Sequence, residues 1–337
     1  MLISKPSYFD DFKCIASLCP DSCCKEWDVQ VDDDTARFYR SLSGPLGDRL
    51  REVLRDEDGE TVMTICDGRC PMWRQDGLCR IQAELGEAAL CKTCREFPRL
   101  THDYGDFVEL GLELSCPEAA RIILTSQPGP SASSEIPGGE CPEYDTITMA
   151  LLKSSRKTAL DILALDCYTP AEALALLLLY SSQVQSALDC GEEDAGDFDP
   201  DAALQTIRSL ATPGSIQAIA DFFTQLEILT PQWQQLLQAP RAPVYPEAVR
   251  LLGRYFVERY WLQSISDDAL THRVKFILIC CILICAIDGD FISSAQLFSK
   301  EIENNYDNVE AILDAAYTYP GFADLCLLGL LLGLQES

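Results

Sequence analysis

Ten of the chain's seventeen cysteines lie at or before Cys116, and their spacing is the first feature able to do chemistry. In order they read Cys14-x4-Cys19-x3-Cys23-Cys24, Cys66-x3-Cys70, Cys79, Cys91-x2-Cys94 and Cys116-Pro117. A separation of two to four residues turns the chain back within one loop, so each short spacing lets two thiolates converge on one centre. One such pair is a weak signal, and the ordered series is a strong one. Zinc and iron–sulfur clusters both accept four thiolates, so ligand type alone does not choose between them. Adjacent Cys23 and Cys24 add a constraint, because neighbours seldom both reach one ion without strain. Either one is a spare or redox-active thiol, or the pair serves two centres. The other seven cysteines, Cys141, Cys167, Cys190, Cys280, Cys281, Cys285 and Cys326, are scattered or set in apolar helical surroundings, where cysteine behaves as a small hydrophobe.

Residues suited to a charged centre surround the series. Arg95 and Arg99 flank Phe97-Pro98 and are candidate cofactor-binding groups, able to offset thiolate charge or hold a carboxylate; ordinary surface charge is the competing reading. Trp27 and Trp73 lie a few residues from cysteines, where aromatics exclude water and tune a cluster, or simply pack. His102, Asp103 and Tyr104 follow the cysteines closely. With two histidines in the whole chain, His102 and Tyr104 are the candidate catalytic pair, against the plainer reading of His102 as a surface loop residue.

These residues need elements to position them. The chain has 337 residues, 47% of them hydrophobic, enough for one large core or two modest ones, and we expect two. The expected fold is mainly α: an irregular cysteine-rich metal-binding N-terminal domain with a few short strands over residues 1–125, a Ser/Pro/Gly-rich linker over 126–145, and an all-α helical domain over 146–337. In the first part, short helices are expected at Thr35 to Leu54 and Arg80 to Cys94, and strands at Gly59 to Ile65 and Asp106 to Leu114. In the last, Thr169 and Asp199, each followed by proline, open helices to Leu188 and Leu210. Further helices are expected from Ser215 to Leu229, Pro246 to about Ser264, Asp267 or Asp268 to near Gly289, Ser293 to Asn304, Val309 to Tyr317 and Phe322 to Leu334. The longest apolar run, Val274 to Ile287, falls short of the roughly 20 residues of a spanning helix and reads as a buried core helix.

A formal charge of −27 argues against nucleic acid and anionic membrane as partners, since both demand a basic surface. Residues 1–125 carry −9 and the remainder −18, which serves solubility or attracts a cationic protein segment. The opening MLISKPSYFDDFKC has no apolar run of secretory length, so a cytoplasmic location is expected, and there a cysteine-rich chain points to metal or catalysis rather than disulfides.

The stretch FKCIASLCPDSCCKEWDV, followed by CPMWRQDGLCRIQAELGEAALCKTCREFPR and LELSCPEAARII, resembles the flagellin lysine-N-methylase family over about residues 8 to 125. Its shorter core is also similar to zinc- or iron-chelating CxxCxxCC domains, although the opening spacing here is x4, x3, x0 rather than x2, x2, x0. The resemblance implies methyl transfer to surface lysine ε-amines of flagellin, with a cysteine-bound [4Fe–4S] cluster taking part. By motif position it implies Cys19, Cys23, Cys24, Cys70, Cys79, Cys91, Cys94 and Cys116 as the matched thiols, with Cys14 among them and Cys66 the first to exclude.

Methyl transfer to lysine needs a base or a desolvating site, for which His102 or one of many acids would serve. S-adenosylmethionine is the expected donor, yet no G-x-G loop after a strand is present, and Trp73 stands where a radical C-x3-C-x2-C signature needs its third cysteine. Two further readings therefore stand beside a cluster-dependent methyltransferase whose partner is a protein with exposed lysines: a chelating or electron-transfer module, and an interaction protein that metal merely staples.

Overall fold

The computed structural model describes all residues except 26–27, 58, 128, 130, 139–140 and 335–337. Among the described residues are seven short strands and fifteen α-helices, and 57% of the structure is helical. The strands are β1 (Leu2–Lys5), β2 (Val29–Val31), β3 (Leu54–Glu57), β4 (Glu60–Met63), β5 (Arg99–Asp103), β6 (Phe107–Leu112) and β7 (Ala132–Glu135). The early helices are α1 (Asp33–Ser41), α2 (Pro45–Val53), α3 (Arg80–Leu85), α4 (Lys92–Glu96) and α5 (Pro117–Thr125).

After residue 145 every described element is helical: α6 (Thr146–Ala164), α7 (Pro170–Cys190), α8 (Pro200–Leu210), α9 (Ile216–Phe223), α10 (Pro231–Leu237), α11 (Val249–Tyr260), α12 (Leu270–Ala286), α13 (Phe291–Phe298), α14 (Tyr306–Thr318) and α15 (Asp324–Leu331). A π-helical turn, Ser299–Glu303, extends α13. Short 3-10 turns occupy several of the connections.

Local chemistry sets these boundaries. Thr169 accepts from the Glu172 amide while the Glu172 carboxylate accepts from the Thr169 amide, a reciprocal cap with Pro170 at the first position of α7. Asp199 caps α8 in the same expected place, and Asp145 and Thr230 cap α6 and α10. The single helix expected from Thr35 to Leu54 is two helices. Gly44, at φ +83°, and Pro45 break it, because proline cannot continue the upstream ladder and restricts the residue before it. The stretch from Arg80 to Cys94 is likewise split, with Gly86 at φ +87° ending α3. Ser215 to Leu229 shortens to α9, and Thr230 with Pro231 starts α10 instead.

One sheet runs in the order β5-β6-β1-β7, with β1 parallel to β6 and antiparallel to β7. Strand β7 lies inside the segment expected to be a linker. A second sheet, β2-β4-β3, is antiparallel throughout. The larger core joins residues of β6 and α5 to the helices, so the four-stranded sheet and the helical bundle share one interior. A smaller core, with Tyr39, Leu50, Met63 and Met72 at its centre, belongs to residues 29–94 and packs beside the cysteines. At the middle of the bundle, fourteen of the seventeen residues of α12 are buried, the pattern of a helix that is apolar all round. No helix among the described residues is long and apolar enough to cross a membrane.

Candidate metal centre

Five separate segments bring the N-terminal cysteines together. Cys19 ends a 3-10 turn, and Cys23 and Cys24 follow in a loop whose carbonyl at Cys24 accepts from the Cys70 amide at 2.7 Å. The Cys70 loop is held from below by Arg49, whose guanidinium donates twice to the Pro71 carbonyl at 3.0 and 2.7 Å. Cys79, Cys91 and Cys116 each occupy the N-cap position of a helix, α3, α4 and α5. Their sulfurs lie near the first amides of those helices without closing a full capping bond, which places three thiols at positive helix ends.

Asp32 fixes two of these helices relative to each other, since its carboxylate accepts from Thr35 at the start of α1 and from Lys92 at the start of α4, at 3.0 and 2.8 Å. From the other side α13 and its π-helical extension reach in. Lys300 pairs with Asp21 at 3.0 Å, and Gln296 donates to the Ser115 carbonyl at 2.8 Å, one residue before Cys116. The loop carrying Cys19, Cys23 and Cys24 and the segment carrying Cys116 are thus clamped by the same helical element.

The thiols contact one another. Cys23 donates to Cys24, which holds Cys23 far above the usual thiol range. Cys24 accepts that bond but donates to Cys70, and with burial this pushes it up to about 12. Cys70, the end of this chain, is held down as acceptor, and its sulfur lies 3.6 Å from the Met63 sulfur. Cys94 donates to Cys91 in the same manner, raising Cys94 and lowering Cys91. The two groups are neighbours, because the charges of Cys23 and Cys24 act on Cys94 and that of Cys91 acts on Cys79. Burial raises Cys116 to about 11, with Cys19 and Cys23 adding to it, and burial also raises Cys19, beside Cys14 and Cys23. All nine expected thiols therefore belong to one electrostatically connected group. Cys66 stays exposed and lends its backbone to a tight turn with Arg69.

Among the described residues, however, no three His, Cys, Asp or Glu side chains are arranged to hold a metal ion. The group fits a soft metal in the kind and number of its donors, all of them thiols, and the sulfurs are engaged with one another in hydrogen bonds rather than aimed at a common point.

The remaining expected residues fall in three places. Arg95 is exposed on α4 and donates to the Leu90 carbonyl at 3.4 Å, and Arg99 is exposed with its guanidinium 5.2 Å from the centre of the Phe12 ring. Arg69 sits 4.0 Å over Trp73, and Trp27 lies outside the described residues. His102 is not a loop residue. It stands on β5 directly opposite Glu109 of β6, half-buried, with Nε2 enclosed and without a hydrogen-bond partner. Burial, reinforced by Arg259, lowers its pKa and keeps the imidazole neutral.

His102 lines a cavity of about 130 Å³ between the four-stranded sheet and helices α6 and α11. Tyr104 faces a separate recess with Asp103 and Tyr144, its ring stacked on Phe107 at 4.6 Å, and burial pushes its phenol up to about 12. The cavity itself was not legible in advance. Its wall combines strand residues with Arg156, Arg254 and Glu258, and helical periodicity gives no sign that these turn inward together.

Comparison with known proteins gives the chain its relatives. It is 34% identical over 143 residues to the lysine-N-methylase of Salmonella choleraesuis, a match covering 40% of this chain and 35% of that protein, and equally similar to the lysine-N-methylase of Salmonella typhimurium. It is 33% identical over 132 residues to the flagellar biosynthetic protein FliU of Salmonella muenchen, covering 36% of this chain and 76% of that protein. The chain belongs to the flagellin lysine-N-methylase family. The match spans about a third of the length of the two lysine-N-methylases. No protein-family description matches the chain, and no solved structure matches it.

Proposed function

We propose that the chain is a protein lysine N-methyltransferase whose substrate is flagellin or a similar protein with exposed lysines, whose methyl donor is S-adenosylmethionine, and whose N-terminal thiols hold an iron–sulfur centre. The observation that carries this reading is the kinship to proteins named lysine-N-methylase and FliU, together with the nine connected thiols in the region of the motif match. Cys24, Cys70, Cys79, Cys91 and Cys94, which all pack in or against the smaller core, are the first choice for ligands. Such a centre would supply redox capacity and a fixed local charge. In the transfer, the neutral ε-amine bonds to the methyl carbon as the methyl–sulfonium bond breaks, the thioether leaves, and the proton of the amine passes to a base. His102, neutral and with an unpaired ring nitrogen, is suited to receive it, whereas Tyr104 keeps its proton at neutral pH and serves only as a hydrogen-bonding group.

The thiol group equally supports a second reading, a chelating or electron-transfer module without methyl transfer. Two measurements on anaerobically purified protein separate them. About four irons and four acid-labile sulfides per chain are expected for a [4Fe–4S] centre, against one zinc and no sulfide for a structural site. Incubation with flagellin and S-adenosylmethionine is expected to yield methylated lysines. A loaded cluster with no methyl transfer leaves the chelating module as the function.

A further inference from the structure

The cavity beside His102 holds more unspent polar capacity than a packing defect would. Its charged residues divide into two kinds. Arg156 is fully engaged, gripping Glu109 with two bonds at 2.7 and 2.6 Å. Arg259 is engaged too, with Glu303 at 3.2 Å and the Tyr255 hydroxyl at 2.6 Å. Arg254 and Glu258 are less so: among the described residues they share a single side-chain bond, Nε to Oε1 at 2.8 Å, which leaves both terminal nitrogens of Arg254 and the second carboxylate oxygen of Glu258 open to a ligand. Tyr8 lines the same cavity beside this pair, and burial raises its pKa. The enclosed nitrogen of His102 completes the set.

We infer that this cavity binds the α-amino-acid group of a small molecule, its carboxylate on the free nitrogens of Arg254 and its ammonium on the free oxygen of Glu258. The free groups are one cation's donors and one anion's acceptor side by side. An anion alone leaves Glu258 unmatched, and a cation alone leaves Arg254 unmatched, so the complement is a zwitterion. The cavity volume of about 130 Å³ is close to the roughly 150 Å³ that accommodates a six-carbon ring, the size of an amino-acid end, and the cavity is open to solvent, so a longer ligand can continue outward. Resting on the methyltransferase reading, that ligand is the sulfonium donor, held by its methionine end.

The test is titration calorimetry of the full chain with S-adenosylmethionine and, separately, with free methionine, on wild type, Arg254→Gln, Glu258→Gln and, as a control on an exposed face, Lys157→Gln. Both ligands are expected to bind wild type and the control. Each cavity variant is expected to bind roughly ten- to a hundred-fold more weakly, the loss of one charge-assisted bond. Because a cavity variant that misfolds would mimic this loss, the His102 ring resonances of wild type are followed as well, and they are expected to move on addition of methionine. If wild type methylates flagellin from the donor while both cavity variants bind it unchanged, the site is overturned and the transferase reading stands. If methionine binds with the expected losses but no methyl is transferred, the site stands and the transferase reading falls. Wild type that binds neither ligand, or His102 resonances that stay still, overturns the site.

Discussion

Each thiol in the N-terminal group is a separate test, because the sulfurs differ in what they touch. Cys94 donates to Cys91 and feels the charges of Cys23 and Cys24, so it bridges the two halves of the group. Cys94→Ser is expected to abolish metal binding and to lower the melting temperature, since ligand bond energy is folding energy in such sites, whereas Cys66→Ser at its exposed turn is expected to change neither. Metal analysis beside a melting curve decides it. Unchanged metal content in Cys94→Ser would remove that residue from the ligand set.

His102 makes a different prediction. Its folded pKa lies below the ordinary value of about 6.5, so the protein is stable to this group above that pH and loses stability as pH falls through the folded pKa. In His102→Gln this share of the acid limb is expected to disappear, read as a shallower loss of urea stability than in wild type as pH falls below about 6.5. The cysteine spacing made the thiols legible from sequence, because it records which loops turn back on themselves. It said nothing of the Arg254 and Glu258 pair. Their place in a cavity wall depends on how α11 lies across a sheet more than a hundred residues away in the chain.

At the scale of elements, the π-helical turn after α13 matters most. Within five residues it buries Lys300, Glu301 and Glu303, and each reaches a different part of the molecule: Asp21 in the cysteine loop, the amide of Leu229 at 2.8 Å, and the hydroxyls of Tyr255 and Tyr260. A regular α-helical turn would point these side chains elsewhere, and such bulges are often found at functional positions. Although burial raises the Asp21 carboxyl, Lys300 outweighs it and holds the group below its usual range, so the pair stabilises above about pH 4 and is lost as pH falls through the folded value. Asp21→Asn is expected to cost on the order of 1–3 kcal/mol at neutral pH, between an exposed and a buried pair, measured by denaturant unfolding.

The sequence showed a helix over Ser293 to Asn304 but not this turn, because hydrophobic period does not register one extra residue in a ladder. The caps at Thr169 and Asp199 were legible for the opposite reason: side chain and backbone meet within three residues. Strand β7 was hidden in a polar segment because its partner, β1, lies some 130 residues away.

At the scale of the molecule, α12 is the axis of the larger core. Leu278 is fully enclosed there, and Leu278→Ala is expected to cost about 2–5 kcal/mol by opening a cavity the neighbouring helices cannot close, seen as a lowered unfolding midpoint with an unchanged slope. The excess of negative charge acts over longer distances. If the proposed protein substrate with exposed lysines is captured by this charge, its association is expected to slow as salt rises from about 0.01 to 0.15 M, where the screening length shrinks from about 30 to 8 Å, and a rate indifferent to salt would argue against electrostatic capture.

The two cores are unequal. The one formed by residues 29–94 has only twelve buried members, several of them sulfur-bearing, whereas the other extends through most of the remaining chain. Opening the smaller one would expose less apolar surface than opening the bundle, so residues 29–94 are expected to act as a sub-global unfolding unit with its own, lower free energy. Amide protons of 29–94 would then exchange ahead of those in the bundle, and a protease would nick the chain there first. Any ligand of the thiols would slow both events by mass action, so partial digestion can report occupancy of the cysteine group while the rest of the fold stays intact.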